Sequence, residues 1–218
     1  GGGGELPGKL GDGVTPDLRV LLLPGRRVRA LIVVALRVVA GQAAADAELI
    51  GRLQSKDQIA RLHVINTLGR FNLPEVRTAL QGQLKDPSKL IRSASLSALG
   101  RMDGPIDVSQ VVPLLRDLEI DVQNKAIDVV IKANDPETIK LLIEIMKDPE
   151  ESARRAAVEV LNEIGDAKSV KYLLEAIADA DWWVRSRAAD ALGKIGGPKV
   201  VDAVLQLIKD PNEDIRRA

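Results

Sequence analysis

The sequence has no cysteine, very few aromatic residues and no excess of charge of either sign. The absence of cysteine excludes disulfide bonds and thiolate metal ligands. Aromatic residues make up 2% of the chain and hydrophobic residues 45%. Alanine, valine, leucine and isoleucine must therefore form the core, and such small aliphatic residues favour closely packed helices over a thick sheet sandwich.

Charge balance and hydropathy exclude two further classes of partner. The 31 basic and 31 acidic residues cancel, whereas a domain that neutralises nucleic-acid phosphates is usually basic. The longest apolar run, Ala30 to Ala40, is interrupted by Arg37 and is too short to cross a bilayer. Three arginines precede this run as in a signal peptide, but the same segment also fits the repeat described below. We expect a cytoplasmic protein that binds neither nucleic acid nor membrane.

An interval of 31 residues organises the chain. The segments KDPEESARRA (147–156) and KDPNEDIRRA (209–218) are nearly identical, and intermediate copies lie between and before them. One column of the repeat contains Asp86, Asp117, Asp148, Asp179 and Asp210. Six residues after each aspartate stands Arg92, Gln123, Arg154, Arg185 or Arg216, and an apolar column contains Leu68, Leu99, Val130, Leu161 and Leu192. Several columns in one register indicate a true internal repeat.

Each repeat is predicted to contain two helices. In PETIKLLIEIMK (136–147) the apolar side chains recur at helical spacing, as they do in the following segment up to Gly165, which ends the second helix. Asp135 and Asp148 each precede a proline, which predicts an N-cap followed by proline at the first helical position. The predicted core faces are Ile139, Leu142, Ile143 and Met146 in the first helix, and Ala153, Ala157, Val160, Leu161 and Ile164 in the second.

The repeat sets the predicted domain organisation. Residues 1–11, which begin with four glycines, are predicted to be a flexible linker, and residues 12–218 a single array. The chain stops inside a motif that continues in earlier copies, so we expect it to be part of a longer protein. The predicted units are 12–42, 43–73, 74–104, 105–135, 136–166 and 167–197, with a truncated unit over 198–218.

A helix pair with aspartate before the second helix and Val-Arg shortly after it resembles the HEAT repeat. The short period and the ending VRSRAADALGKIG (184–196) are similar to the phycobilisome-lyase-type HEAT-like subclass. The resemblance implies an all-α fold, an α-solenoid of stacked helix-turn-helix repeats forming a curved superhelix with the second helices on its concave surface. Stacking also follows from physics, since one isolated helix pair cannot bury both of its apolar faces.

The recurrence of aspartate and arginine at fixed positions of each repeat predicts a ladder of contacts between repeats. Within one repeat the two residues are six positions apart, about 600° around a helix, so they do not share a face. We therefore expect each to contact an adjacent unit and to serve a structural role. The residues of this ladder are Asp86, Arg92, Asp148, Arg154, Asp179, Arg185, Asp210 and Arg216.

The sequence predicts no catalytic residue, cofactor or metal site. His63 is the only histidine, and Ala94, Lys125, Ala156 and Arg187 stand at the equivalent positions, so we expect it to be exposed. A catalytic or metal-binding histidine needs partners, and the chain offers no second histidine and no cysteine.

Two groups of residues are candidates for partner binding. Asp128, Glu159 and Asp190 form an acidic row on the second helices. Lys132 and Lys194 are predicted to pair with Asp128 and Asp190 at i, i+4, whereas Glu159 faces Glu163 and is predicted to lack a partner on its own helix. The hypothesis is an acidic patch that binds a basic segment, and the alternative is neutralisation by Arg155 or by an adjacent unit.

The adjacent tryptophans Trp182 and Trp183 form the second candidate. Equivalent positions in other repeats are mostly polar. The pair either covers the turn between helices or forms an aromatic anchor for a partner, since tryptophan is enriched in binding hot spots.

Three functions follow as hypotheses. The leading one is a non-catalytic scaffold or regulatory segment that presents a preformed surface to another protein or to flanking domains of its own chain. The alternatives are a bilin (tetrapyrrole) lyase or isomerase, which the resemblance to the lyase subclass suggests, and a rigid spacer between domains.

Overall fold

The computed structural model describes residues 42–197, 200, 201, 205, 208–213 and 216, and side chains from residue 47 onward. The chain groups into two compact units, residues 1–51 and residues 52–218. The predicted linker over 1–11 and nearly all of the predicted unit over 12–42 lie outside the described residues, and the predicted repeat boundaries stay predictions. In the first unit the described element is helix α1 (Gln42–Gly51).

In the second unit the described residues form helix pairs. The second helices of the repeats are α2 (Gln58–Leu68), α4 (Lys89–Arg101), α6 (Ile120–Ala133), α8 (Glu151–Ile164) and α10 (Trp182–Ile195). The first helices are α3 (Pro74–Gly82), α5 (Val108–Val111), α7 (Thr138–Ile145) and α9 (Val170–Ala176). Short 3-10 turns at Arg52–Gln54, Gln83–Lys85, Val112–Arg116 and Ala167–Ser169 adjoin α2, α3, α5 and α9.

The order of contacts confirms the all-α solenoid fold. Each second helix packs against the next, from α2 through α4, α6 and α8 to α10, and each first helix packs against the second helix of its own pair. No strand occurs among the residues that the structure describes, and no helix among them is long and apolar enough to cross a membrane.

The apolar column of the repeat forms the centre of the core. Its members Leu68, Leu99, Val130, Leu161 and Leu192 are all buried. Close approach of neighbouring second helices adds a steric requirement, because a Cβ at Gly69 would lie 2.7 Å from the Cβ of Ala98. On α7 the buried apolar residues are Ile139, Leu142 and Ile145, whereas the predicted Ile143 and Met146 are only partly buried. The predicted face is wrong by part of a turn because this helix contacts the preceding repeat as well as its own partner.

The prediction that Asp135 and Asp148 are N-caps is wrong. Helices α7 and α8 begin at Thr138 and Glu151, so each aspartate lies two residues before its N-cap. Asp135 and Asp148 instead accept hydrogen bonds from the backbone amides of Glu137 and Glu150, at 2.8 and 3.0 Å. Each forms an Asx turn around its proline, which mimics a backbone turn before the helix starts.

The helix ends agree with the predicted stop at Gly165. This glycine caps α8 in the left-handed conformation with φ 61°, which costs little without a Cβ. One repeat earlier, Asn134 caps α6 in the same conformation with φ 45°, and asparagine is the usual substitute for glycine at such positions.

Candidate partner-binding surface

The ladder arginines bridge consecutive repeats. Arg154 donates from Nε and Nη2 to the two carboxylate oxygens of Asp179, at 2.8 and 2.9 Å. Arg92 binds Asp117 in the same way at 2.7 and 2.9 Å, and Arg185 binds Asp210 at 2.7 and 3.0 Å. Two parallel hydrogen bonds to a carboxylate fix geometry as well as charge.

Each ladder arginine also binds the turn of its own repeat. Nη1 of Arg154 donates to the backbone carbonyls of Asp148 and Pro149, at 2.9 and 3.1 Å. Arg216 binds the carbonyls of Asp210 and Pro211 in the same way, at 2.7 and 2.9 Å. One guanidinium group therefore joins the turn of its own repeat to the aspartate of the next.

The ladder changes partners where glutamine replaces arginine. Gln123 donates to the carbonyl oxygen of Leu115 at 2.6 Å and does not reach Asp148. Asp148 is bound instead by Arg116, which ends the 3-10 turn after α5 and also donates to the carbonyl of Glu144 at 3.0 Å. The pKa of Asp148 is lowered, first by the amide of Glu150 and then by the guanidinium of Arg116. Asp148 therefore keeps an arginine partner, although this arginine stands at a different position of the repeat.

A second set of ion pairs connects the acidic row to neighbouring repeats. Arg187 Nε lies 3.0 Å from a carboxylate oxygen of Glu159, and Lys194 Nζ lies 3.5 Å from Glu163. Arg187 also lies 3.4 Å from Asp190. The structure therefore favours the alternative of neutralisation by an adjacent unit: the cations come from helix α10 and not from the helix that carries Glu159.

The predicted i, i+4 pairs are likewise replaced by contacts between repeats. Lys194 pairs with Glu163 of the preceding repeat rather than with Asp190. Lys132 donates to the carbonyls of Gly100 and Met102, at 2.8 and 3.0 Å. Long lysine side chains reach these partners because the second helices lie side by side. Asp128 is exposed and forms no ion pair with the described residues.

The two tryptophans differ in their surroundings. Trp183 is half-buried, and the guanidinium of Arg187 lies 5.2 Å from its ring centroid, a cation–π distance. Trp183 thereby helps to hold Arg187 against Glu159. Trp182 begins α10 and is exposed. Arg155 joins this helix start to α8, since it donates to both carboxylate oxygens of Asp181 at 3.0 and 2.6 Å.

The exposed side of the second helices carries different residues on α2 and α4 than on α8 and α10. Ile59 is 66% exposed and Leu90 is 52% exposed, and the two positions are equivalent in the repeat. Arg70 and Arg101, also equivalent, are exposed and form no ion pair with the described residues. This surface was not among the predicted sites, although the sequence contains a signal for it: neither helix has an acidic residue. His63, predicted to be exposed, is half-buried on α2.

A groove of about 750 Å³, also not predicted from the sequence, lies beside the turn that precedes α6. Its lining includes Leu84, Pro87, Pro113, Leu114 and the fully exposed Leu118. Leu118 stands where other repeats have Pro87, Pro149 and Pro211, a departure that the sequence itself contains.

The free energy of unfolding should fall at acid pH because the carboxylates of Asp181 and Asp210 form ion pairs in the folded protein. The guanidinium of Arg155 lowers the pKa of Asp181, and that of Arg185 lowers the pKa of Asp210, from the ordinary value of 3.8. The folded state then binds fewer protons than the unfolded state, so their contribution is complete above 3.8 and is lost as pH falls through the lowered values.

The measurement is urea unfolding over a pH series from neutral to well below 3.8. We expect the Asp181→Asn variant, which retains a side-chain oxygen to cap α10, to show a smaller loss of stability on acidification. An unchanged pH dependence in this variant would contradict the assignment.

Comparison with known proteins agrees with this architecture. A family model described as HEAT repeats matches residues 45–128, 108–184 and 139–218. It covers HEAT repeats in general, so the phycobilisome-lyase subtype stays a prediction. A search of curated proteins gave no significant match.

Three solved structures illustrate the likeness in fold. The archaeal HEAT-like repeats protein from Thermococcus onnurineus NA1 is 16% identical, with a TM-score of 0.55 over 87% of this chain and 88% of that one. YibA of Escherichia coli is 18% identical, with a TM-score of 0.52 over 78% and 67% of the respective chains. Human deoxyhypusine hydroxylase in complex with glycerol is 19% identical, with a TM-score of 0.45 over 91% and 90%. At these identities the likeness to the archaeal protein and to YibA establishes the fold alone.

Proposed function

Because the chain belongs to the HEAT-repeat family, we propose that it is a non-catalytic scaffold whose second-helix face binds another protein or a flanking domain of its own chain. The second-helix face is the surface formed by the exposed residues of α2, α4, α6, α8 and α10. We place the protein in the cytoplasm.

The uneven use of charge on the second-helix face carries the proposal. On α8 and α10 the charged residues hold one another across repeats, as in the Glu159–Arg187 and Glu163–Lys194 pairs. Around α2 and α4, by contrast, apolar side chains are exposed, and the exposed Arg70 and Arg101 have no ion-pair partner in the part of the chain that the structure describes. Helix packing alone gives no reason to expose Ile59 and Leu90, whereas a surface that another protein covers does.

A preformed surface favours binding in a second way. The ladder ties consecutive repeats together through paired hydrogen bonds, as between Arg154 and Asp179, and through Arg116 where Gln123 interrupts the pattern. Little conformational entropy is then lost when a partner docks. The acidic patch and Trp182 stay predicted contact residues within the same proposal, although Glu159 and Glu163 already have partners in the chain.

Site-specific photo-crosslinking in cells of the source organism tests the function. A photoreactive amino acid replaces Asn66 or Asp128 on the second-helix face and, as matched controls, Lys140 or Glu144 on first helix α7. All four side chains are exposed, so the substitutions should not unfold the protein. We expect a discrete crosslinked protein from the second-helix positions only.

Two results would overturn the proposal. The first is the same crosslinked products from both faces, which indicates chance encounters. The second is crosslinks from the α7 positions alone, which places the partner on the opposite side of the helix pairs.

A further inference from the structure

We propose that the part of the second-helix face formed by α2 and α4 binds a partner segment that combines apolar side chains with carboxylates. This inference rests on the proposed function and names the chemistry of the partner. The surface concerned, defined by Ile59, Leu62, Arg70, Leu90 and Arg101, is here termed the α2/α4 surface.

The apolar part lies at the start of the two helices. Ile59 and Leu90 occupy equivalent positions on helices that pack against each other, and each exposes more than half of its side chain. Leu62, one turn after Ile59, is only partly buried. Adjacent large aliphatic side chains left in water by a folded protein are typical of a surface that a partner covers.

The charged part lies where the same helices end. Arg101 is the last residue of α4, 11 positions or about three turns after Leu90, which returns to the same side of the helix. Arg70 lies in the turn two residues beyond the end of α2, where its amide donates to the carbonyl of Thr67 at 3.2 Å. A guanidinium nitrogen of Arg101 lies 3.2 Å from the position that a Cβ on Gly69 would occupy. Arg101 therefore reaches back across the helix contact to the residue next to Arg70.

These arginines lack the carboxylates that comparable cations have elsewhere. Arg155, Arg187 and Lys194 of the later repeats each bind an acidic side chain of a neighbouring repeat. Helices α2 and α4 contain no aspartate or glutamate. Among the described residues, neither Arg70 nor Arg101 has an ion-pair partner.

The charged residues on this side of the helices determine whether an acidic or a basic partner segment fits. A basic segment would be repelled by Arg70 and Arg101 at the α2/α4 surface, and at the acidic patch it would have to displace Arg187 and Lys194. An acidic segment meets guanidinium groups that form no ion pair with any described residue, and guanidinium groups bind carboxylates with two parallel hydrogen bonds. Complementary charge of this kind gives specificity and speeds association.

The length of the surface also limits its occupant. The three turns between the aliphatic and arginine positions correspond to about 16 Å along the helix, which an extended segment of about five residues spans. We therefore expect apolar side chains against Ile59 and Leu90, and carboxylates a few residues away against Arg70 and Arg101.

The experiment selects peptides from a displayed library of random 12-residue sequences on the immobilised full chain. Selected peptides are then synthesised with a fluorescent label and titrated in solution. We expect them to be rich in carboxylates and aliphatic residues, and to bind about tenfold more weakly to the Arg70→Glu, Arg101→Glu double variant. Raised salt should weaken binding to the unchanged protein.

Matched variants separate this surface from general charge effects. Lys140→Glu, Lys171→Glu changes the net charge equally on first helices α7 and α9 and should leave affinity unchanged. Leu90→Ser should weaken binding about tenfold without changing the charge. None of these side chains is buried, so circular dichroism should show unchanged folding.

Several outcomes would overturn the inference. One is the selection of basic peptides. Another is the selection of acidic peptides whose affinity falls equally in the Arg70→Glu, Arg101→Glu variant and in the Lys140→Glu, Lys171→Glu variant. A third is the selection of no peptide at all. Binders that are lost only in Glu159→Lys, Glu163→Lys would assign binding to the acidic patch instead. Each of these results leaves the crosslinking test of partner binding intact, so the two failures are distinguishable.

Discussion

The Leu161→Ala variant should lose about 2–5 kcal/mol of unfolding free energy, because deletion of a buried leucine side chain removes apolar contacts and leaves a cavity. Leu161 lies on α8 with 1% of its side chain exposed, in the apolar column that runs through every described repeat. Helix α8 contacts α6, α7 and α10, so the cavity would open where four helices meet. Chemical denaturation followed by circular dichroism measures the loss.

Leu118→Ala is the matched control for this prediction. The chemical change is identical, but Leu118 is fully exposed, so its removal should change stability by less than about 0.5 kcal/mol. Equal effects of the two substitutions would contradict the assignment of the core column.

Asp179→Ala should cost about 2–3 kcal/mol, since removing one partner leaves the guanidinium of Arg154 poorly solvated and unpaired. The two side chains are only 14% and 12% exposed. Asp179 also accepts a hydrogen bond from the backbone amide of Asp181 at 2.8 Å, so the turn before α10 loses its support as well. Thermal and urea unfolding both measure this cost.

Two comparisons make the ladder prediction specific. Glu137→Ala removes the partner of Lys140 in a pair whose side chains are 63% and 71% exposed, and it should cost less than about 0.5 kcal/mol. The double variant Arg154→Met, Asp179→Leu removes both charges and should recover part of the loss. If Asp179→Ala is as mild as Glu137→Ala, the ladder does not stabilise the stack.

Periodicity in the sequence was enough to predict the repeat, because helix packing forces equivalent residues into equivalent environments. The column from Leu68 to Leu192 is buried throughout. The same logic predicted that the ladder residues contact adjacent units, since Asp and Arg six positions apart cannot share a helix face. The stop of α8 at Gly165 follows from the local preference of glycine for the left-handed conformation.

Helix starts were less predictable. Asp-Pro is compatible both with an N-cap and with an Asx turn two residues earlier, and local preferences do not separate the two. At Asp148 the carboxylate contacts Arg116 in the structure, and this tertiary contact accompanies the turn.

The sequence by itself therefore determined the helix content, the 31-residue repeat and the buried column, because these depend on local propensity and on the period of apolar residues. Tertiary structure decided which charged side chains have ion-pair partners. Glu159 is neutralised by Arg187 and Glu163 by Lys194, each from the following repeat, whereas Arg70 and Arg101 find no carboxylate among the described residues. Ion pairing depends on distances of a few ångströms between side chains about 30 residues apart in sequence, and the packing of neighbouring helices sets those distances.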